Sequence, residues 1–343
     1  MRVTRQSLIR IAKERTQELV YNDRTILAVY LTGSLTSDAD PMLGGAADID
    51  LVLVHDSQSS LARQIVKLTP DFHLDIRHRQ ASEFQSPREL RTDPILGWEA
   101  YDPMLLYQRE KFFEFLQAGL RAGWEFNAPA TILTRCRSLY GDARQTWFEF
   151  NELSGEDAGP REVLRFLDAV GAAANAVAEM NGGPLPERRL LSDFPARALS
   201  INHPEFTAGL FGLLGAEHVN SVKLADWLEP WRASFLAASG RPDVDPRVHS
   251  ARLNYYEKAI RALLEGEAPL GGLWPLLITW TLAACVLEDS AAESWRAAAQ
   301  QLNLAGSALH DRFSALDAYL DDIEAVLDEL AAENGLEPSG SPL

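Results

Sequence analysis

Residues 31–54 read LTGSLTSDADPMLGGAADIDLVLV, and this stretch decides the fold of the first part of the chain. The apolar run that leads into it, TILAVYL, is rich in β-branched and aromatic residues and predicts a strand that ends at Gly33. The last seven residues of the stretch, DIDLVLV, predict a second strand. Further along, FHLDIRHR at 72–79 alternates apolar and polar residues, which predicts a third strand.

Helical patterns lie between and before these strands. Apolar residues recur at near-helical spacing over residues 5–22, which predicts a helix, and we interpret LARQIVKL at 61–68 as another. The order helix, strand, strand, helix, strand predicts a domain with a small mixed sheet. One further short strand is expected around SLYGD at 138–142, which ends in a Gly-Asp turn.

From Pro160 onward nearly every segment has a helical pattern, broken by Gly- and Pro-rich turns. The stretch LSGEDAGP at 153–160 is the predicted boundary between two domains. We therefore expect an α+β protein: a domain with a small mixed sheet over residues 1–153 and an all-α domain over residues 160–334. Residues 335–343, GLEPSGSPL, are expected to form a flexible tail.

The composition excludes several classes of partner. The 343 residues carry 32 Lys and Arg against 49 Asp and Glu, a formal net charge of -17. Such a surface repels nucleic acid and anionic membranes and attracts cations, although the same excess could serve solubility alone. The longest apolar stretch, between Gly272 and Glu288, is too short to span a bilayer and predicts a buried core helix. Two cysteines far apart argue against a disulfide framework or a zinc site, so we expect a cytoplasmic protein.

The acidic residues of the second and third strands carry the functional signal. Residues two apart in a strand share a face, so Asp48 and Asp50 lie on one side, and Asp75 lies opposite the apolar face of its own strand. If the two strands are neighbours, these three carboxylates (hereafter the carboxylate cluster) converge and repel one another. Divalent cations are the usual compensation, and oxygen-only ligands favour Mg²⁺, often as two ions roughly 3.5–4 Å apart. For the DID pair alone, carboxylates at a turn are the simpler interpretation.

The Gly-Ser pair suggests what lies beside these ions. Gly33 has no Cβ and permits close approach of a ligand, while Ser34 offers a hydroxyl and a backbone N–H that can bind a phosphate. A phosphate-binding turn beside metal ligands suits a nucleoside triphosphate with its Mg²⁺. Four other polar residues of the third strand are interpreted more simply: Arg77 and Arg79 as solvated or paired with acids, and His73 and His78 as surface residues.

The arrangement resembles the polymerase-β-like nucleotidyltransferase superfamily, in its small, aminoglycoside-nucleotidyltransferase-like branch. Gly33-Ser34 is followed by thirteen residues and then Asp48-Ile49-Asp50-Leu51, and the family's third acidic position on a following strand matches Asp75. The resemblance covers roughly the first 145 residues, and it implies that residues 1–153 are a nucleotidyltransferase catalytic domain.

The resemblance implies a reaction and a role for each residue. A nucleoside monophosphate, AMP from ATP, would pass to an acceptor hydroxyl with release of pyrophosphate. Asp48, Asp50 and Asp75 would hold the two Mg²⁺ ions, Asp75 would also take the acceptor's proton, and Gly33 and Ser34 would bind the β- and γ-phosphates.

The acceptor expected from the resemblance and the net charge is a small cationic molecule of the aminoglycoside type, recognised by the helical domain. One alternative is an enzyme that acts on a protein or tRNA, as nucleotidyltransferases paired with toxins do, although the negative charge argues against tRNA. The other is a catalytically silent module that binds a nucleotide or a partner.

Overall fold

The computed structural model describes residues 3–36, 41–59, 61–151 and 158–338. The chain divides into two compact units, Met1–Phe126 and Asn127–Leu343. The first contains a five-stranded sheet with helices and the second is helical, so the predicted α+β class is confirmed.

The first unit contains a mixed sheet with the strand order β3-β4-β2-β1-β5, in which β2 and β4 are parallel and the other neighbours antiparallel. Its strands are β1 (Ile26–Thr32), β2 (Ala47–His55), β3 (Arg63–Lys67), β4 (Phe72–Gln80) and β5 (Met104–Gln108). Its helices are α1 (Arg5–Asn22), α2 (Pro87–Thr92), α3 (Leu96–Tyr101) and α4 (Phe112–Leu120). The predictions of α1, β1, β2 and β4 are confirmed.

The predicted helix at 61–68 is wrong, because this segment is the edge strand β3. Its five residues include the β-branched pair Ile65-Val66, which favours a strand, and it is too short for a stable helix. It forms a hairpin with β4, closed by the amides of Leu68 and Thr69, which both donate to the carbonyl of Phe72 at 3.0 Å. The hairpin places Arg63 beside Asp75 of β4.

The sheet has a hydrophobic core on each face. Successive residues of β2 point to opposite faces, so they alternate between the two cores. Ile49, Leu51 and Leu53 belong to the core that includes residues of α1. Val52 and Val54 belong to the opposite core, which includes residues of α2, α3 and α4. Since residues two apart share a face, Asp48 and Asp50 lie at the beginning of this second face.

The second unit is built from helices packed around one extended core. They are α5 (Pro129–Asn151), α6 (Pro160–Glu179), α7 (Leu190–Ser200), α8 (Glu205–Leu213), α9 (Ser221–Ala238), α10 (Leu253–Glu265), α11 (Leu273–Ala284), α12 (Glu293–Gln301) and α13 (Ala308–Glu333). Every residue of α11 is buried, which confirms the core helix predicted from the longest apolar stretch. Within the described residues, no helix combines the length and apolarity needed to cross a membrane.

The helix α5 accounts for two differences from the sequence predictions. The strand expected at 138–142 is wrong, because these residues lie inside α5, where Leu139 and Tyr140 join the helical core. The division between units falls after Phe126, so α5 belongs to the helical unit rather than to the predicted domain 1–153. Ion pairs from Arg144 of α5 to Asp317 and Asp321 of α13 connect it to that unit. Most of the predicted boundary, residues 153–157, lies outside the described residues.

The first residues of the expected tail close the C-terminal end of α13. Gly335 has a φ of +64°, and its amide donates to the carbonyl of Ala332 at 3.1 Å. The amide of Leu336 donates to the carbonyl of Ala331 at 2.8 Å. A left-handed glycine followed by such a hydrogen bond is a common way for a helix to end. Residues 339–343 lie outside the described part of the chain.

Candidate metal and nucleotide site

The parallel pairing of β2 and β4 brings the three aspartates together. Asp50 lies opposite Asp75 in the register, and Asp48 lies opposite His73. One carboxylate oxygen from each of Asp48, Asp50 and Asp75 lies within 4.8 Å of the other two. Asp48 and Asp75 are buried, with 4% and 1% of their surface exposed, and Asp50 is half-buried. The carboxylate cluster expected from the sequence is therefore present in the structure, and its donors are of the type that hard divalent cations prefer.

An arginine from the neighbouring strand already contacts the cluster. Arg63 of β3 donates from Nε to Oδ1 of Asp75 at 2.8 Å and from Nη2 to Oδ2 at 2.5 Å, so both oxygens of this carboxylate accept a hydrogen bond. The Asp75 side chain is 1% exposed and that of Arg63 is 30% exposed. A bidentate pair of this kind, in which the carboxylate is buried, partly compensates the charge of the cluster.

Sequence reasoning missed Arg63 because segment 61–68 was interpreted as a helix. The signal that could have found it is the β-branched pair Ile65-Val66 in a short run, followed within a few residues by the turn TPD at 69–71. With the segment assigned as a strand paired to β4, Arg63 would have been placed on the same sheet as Asp75.

A second ion pair lies beside the cluster. Arg77 of β4 pairs with Glu99 of α3, and both side chains are largely buried. Burial opposes the charged form of Arg77, but the negative charges of Glu99 and Asp50 outweigh it and raise the arginine's pKa. Arg79 pairs with Glu83 at 2.9 Å. Both arginines are thus paired with acids, as the simpler interpretation predicted.

Gly33 lies directly against Asp50. Its φ is +72°, in the left-handed region that favours glycine, and a Cβ built on it would be 2.1 Å from Oδ2 of Asp50. A side chain at this position would fill the space in front of one carboxylate of the cluster. The sequence predicted close approach here because the residue is glycine, and the structure shows that the approaching group is Asp50.

Ser34 lies in a single 3₁₀ turn, Gly33–Leu35, directly after β1. The carbonyl of Gly33 accepts hydrogen bonds from the amide of Thr36 at 3.1 Å and from its hydroxyl at 2.9 Å. Arg5 of α1 donates to the carbonyls of Leu35 at 3.1 Å and Ser34 at 3.4 Å. The turn is therefore fixed on one side by α1 and placed beside Asp50 on the other. Residues 37–40 of the connection to β2 lie outside the described residues.

The interpretation of the two histidines as surface residues is wrong. His73 is fully buried, and its register position faces Asp48. His78 is half-buried, and its Nδ1 lies 2.9 Å from Nε2 of His55. Both errors have one cause: β4 is an interior strand of the sheet, which its alternating pattern alone did not reveal.

His78, His55, Thr25 and Asp23 form a chain of hydrogen bonds. The Thr25 hydroxyl donates to Asp23 at 2.7 Å, so its oxygen accepts from His55 Nδ1 at 2.9 Å. With His55 neutral, its Nε2 then accepts from His78 Nδ1. Burial, and then repulsion by the protonated form of His55, lower the pKa of His78.

Comparison of the sequence with models of known protein families and with characterised proteins finds no match. The geometry of the site therefore carries the functional argument.

Proposed function

We propose that this chain is a Mg²⁺-dependent nucleotidyltransferase that moves AMP from ATP to a hydroxyl of a small cationic acceptor. The observation that carries the proposal is the convergence of three carboxylate oxygens within 4.8 Å, with Gly33 against one of the three residues. This combination joins a site for hard cations to a backbone turn that can approach a phosphate.

The residues present fit a divalent cation on two grounds. The donor set consists of carboxylate oxygens, two of them on buried residues, and such a set prefers Mg²⁺ over softer metals. The absent side chain of Gly33 lets Asp50 keep its place in the cluster, because a Cβ there would collide with Oδ2 of Asp50. Asp48, Asp50 and Asp75 would hold the metal, which when bound neutralises charge on the phosphoryl group undergoing transfer.

The remaining residues of the site would bind and orient the triphosphate. The turn at Gly33–Leu35 would offer its backbone amides to the β- and γ-phosphates, and the buried Ser34 hydroxyl would have to turn outward to join them. Arg5 holds the carbonyls of this turn, which keeps the turn in place as the nucleotide binds. Asp75 accepts two hydrogen bonds from Arg63, and as the base for the acceptor's proton it would use a further lone pair of the same carboxylate.

The net charge supports a cationic acceptor, and the cysteines support a reducing compartment for the protein. A charge of -17 favours a cation over a nucleic acid as the second substrate. The helical unit would supply the acceptor's binding surface. Cys136 and Cys285 are both free thiols, which suits a reducing cytoplasm.

A second candidate function is a nucleotide-binding module without transferase activity. The Arg63–Asp75 ion pair favours it, because a guanidinium already compensates one of the three carboxylates. In this case the triphosphate would bind near Ser34 and no label would be transferred to an acceptor.

An assay with ATP labelled at the α-phosphate separates these functions. The full chain is incubated with Mg²⁺ and, in parallel, an aminoglycoside panel, a cell lysate and tRNA. We expect label in the aminoglycoside fraction, and none with Asp48→Asn combined with Asp50→Asn. Asp56→Asn, which alters a carboxylate just beyond the far end of β2, is the matched control and should keep activity.

Label in the protein or tRNA fraction would show that the acceptor is a macromolecule rather than a small cation. Bound ATP without any transferred label would support the silent module. Transfer that persists in the double variant would overturn the assignment of the site.

A further inference from the structure

We infer that a cavity within the helical unit binds the ammonium group of a small organic amine, with Asp168 as its counter-charge. This site goes beyond the proposed function, because it lies within the helical unit and needs neither a metal ion nor a nucleotide. Its support comes from the shape of the cavity, the surroundings of the Asp168 carboxylate and an aromatic wall.

The cavity lies among three helices. Helices α6, α7 and α11, together with the 3₁₀ turns Glu187–Arg189 and Pro246–Val248, form its walls. Its volume is about 160 Å³, and it is open to solvent. A cavity of about 150 Å³ holds a molecule of the size of benzene, so this one has room for a single small ring. Its polar side chains are those of Asp168, Asn175, Glu187 and Arg247. Apolar walls with a few polar groups are typical of small-molecule sites.

Asp168 lies on the face of α6 that borders the cavity. Gly171 and Asn175, on the next two turns of the helix, line the same cavity. The Asp168 side chain is exposed to solvent, and among the described residues it has no hydrogen-bond or ion-pair partner. The groups around it nevertheless remove part of its water, which raises the pKa of the carboxyl. A carboxylate that has lost water without gaining a partner is stabilised by an arriving cation.

Arg247 lines the same cavity but is committed to two other carboxylates. Its Nε and Nη2 donate to Oδ1 and Oδ2 of Asp245 at 3.0 and 3.1 Å, and its Nη1 donates to Oε2 of Glu187 at 3.1 Å. The hydroxyl of Tyr256 donates to Oε1 of Glu187 at 2.7 Å. A ligand anion would therefore meet an arginine that is already paired, and the carboxylates of Asp168 and Glu187 would repel it. A ligand cation would be attracted by the same two carboxylates.

Trp274 of α11 supplies the aromatic wall. Its side chain lines the cavity and is 4% exposed. A Cβ on Gly171 would lie 3.2 Å from Cζ2 and 3.3 Å from Cη2 of the indole, so the glycine allows the ring to pack closely against α6. The indole and the Asp168 carboxylate therefore border the same space. A ring amine can pack its carbons on the indole while its ammonium pairs with Asp168.

Isothermal titration calorimetry of the full chain near neutral pH, without ATP or Mg²⁺, tests this site. The probe is cyclohexylamine, which has one six-membered ring and one ammonium group. Cyclohexanol is the neutral molecule of matched size, and cyclohexanecarboxylate is the anionic one. We expect cyclohexylamine to bind at a single site, about tenfold or more tighter than cyclohexanol, because the alcohol lacks a charge-assisted hydrogen bond. Cyclohexanecarboxylate should bind more weakly still.

Asp168→Asn removes the negative charge and keeps the shape of the side chain. It should weaken cyclohexylamine binding about tenfold or more and leave cyclohexanol binding as in the wild type. The matched control is Asp322→Asn on α13, which changes an exposed aspartate that has no ion-pair partner among the described residues and does not line the cavity. This variant should bind cyclohexylamine as the wild type does. Circular dichroism establishes that both variants are folded.

The outcomes separate a built site from general attraction to an acidic surface. Equal loss of binding in Asp168→Asn and Asp322→Asn, or equal affinity for cyclohexylamine and cyclohexanol, would overturn the inference. Absence of cyclohexylamine binding to the wild type would also overturn it. Because no nucleotide or metal ion is present, none of these results bears on the carboxylate cluster or on the transferase assay.

Discussion

Gly33 and Asp50 are in such close contact that a Cβ on the glycine would lie 2.1 Å from Oδ2 of the aspartate. The two residues belong to different strand ends, and the antiparallel pairing of Thr32 with Asp50 brings them together. The Gly-Ser and Asp-Ile-Asp motifs, separated by thirteen residues in the sequence, are therefore adjacent in the structure.

This contact predicts that Gly33→Ala lowers the free energy of unfolding more than Gly45→Ala does. Both glycines have positive φ, at +72° and +82°, but a Cβ on Gly45 meets no atom of the described residues within 4 Å. Backbone strain alone should cost about 1 kcal/mol at Gly45, and displacement of Asp50 should add about 1–3 kcal/mol at Gly33. Urea denaturation measures both values, and equal losses would show that the Asp50 contact is unimportant.

Removal of the Tyr30 hydroxyl should not lower the stability of the folded protein. This side chain is fully buried, and within the described residues its hydroxyl has no hydrogen-bond partner. Burial raises the pKa of Tyr30, so the group stays neutral. Tyr30→Phe should leave the stability unchanged or raise it by up to about 1–2 kcal/mol, because an unsatisfied buried polar group is removed.

The control for this prediction is Tyr256→Phe. The buried hydroxyl of Tyr256 donates to Oε1 of Glu187 at 2.7 Å, so its removal should cost about 1–3 kcal/mol. Thermal unfolding of both variants gives the comparison. A loss at Tyr30 as large as that at Tyr256 would mean that the Tyr30 hydroxyl does have a partner.

The core of the helical unit contains a fully buried ion pair whose disruption should be costly. Arg135 Nε lies 2.9 Å from Oε2 of Glu179, and both side chains are 0% exposed. Glu179→Gln removes the counter-charge of this buried guanidinium and should cost about 3–5 kcal/mol. Glu149→Gln, in an exposed pair with Arg165, should change the stability by less than about 1 kcal/mol. Equal decreases in the denaturant midpoints of Glu179→Gln and Glu149→Gln would show that the buried pair contributes no more than the exposed one.

The His55–His78 pair predicts a loss of stability in mild acid. The pKa of His78 is lowered in the folded protein by burial and by His55, so below about pH 6.5 the unfolded chain binds more protons than the folded one. Stability should therefore fall as the pH drops through this range toward the folded pKa and then level off.

The urea midpoint between pH 7.5 and pH 5 measures this effect. His78→Gln should make the dependence shallower, whereas the exposed His310→Gln should leave it as in the wild type. An unchanged slope in His78→Gln would assign the acid sensitivity to other groups.

The sequence predicted much of the sheet and of the site because both depend on short-range patterns. Strict alternation in β4 and the apolar run of β2 predicted the strands, and the two-residue spacing predicted that Asp48 and Asp50 share a face. The convergence of these two carboxylates with Asp75 was predicted on the assumption that β2 and β4 are neighbouring strands. The register, in which Asp50 lies opposite Asp75, shows that they are neighbours.

The residues that sequence reasoning missed depend on long-range packing. Arg63 reaches Asp75 only because a five-residue segment pairs as an edge strand, and Glu99 reaches Arg77 from a separate helix. The segment 138–142 has a turn-like Gly-Asp pair, yet it lies in a 23-residue helix because its apolar side packs into the helical core. In each case, tertiary contacts outweigh the local signal.

We propose that the carboxylate cluster of Asp48, Asp50 and Asp75 binds a divalent cation beside a triphosphate. Anomalous X-ray scattering from crystals grown with Mn²⁺ and α,β-methylene-ATP is the sharpest test of this site. We expect a manganese peak within ligand distance of Asp48 and Asp50, with the β- and γ-phosphates on the turn at Gly33–Leu35. Nucleotide bound in the crystal without a manganese peak at these aspartates would contradict it.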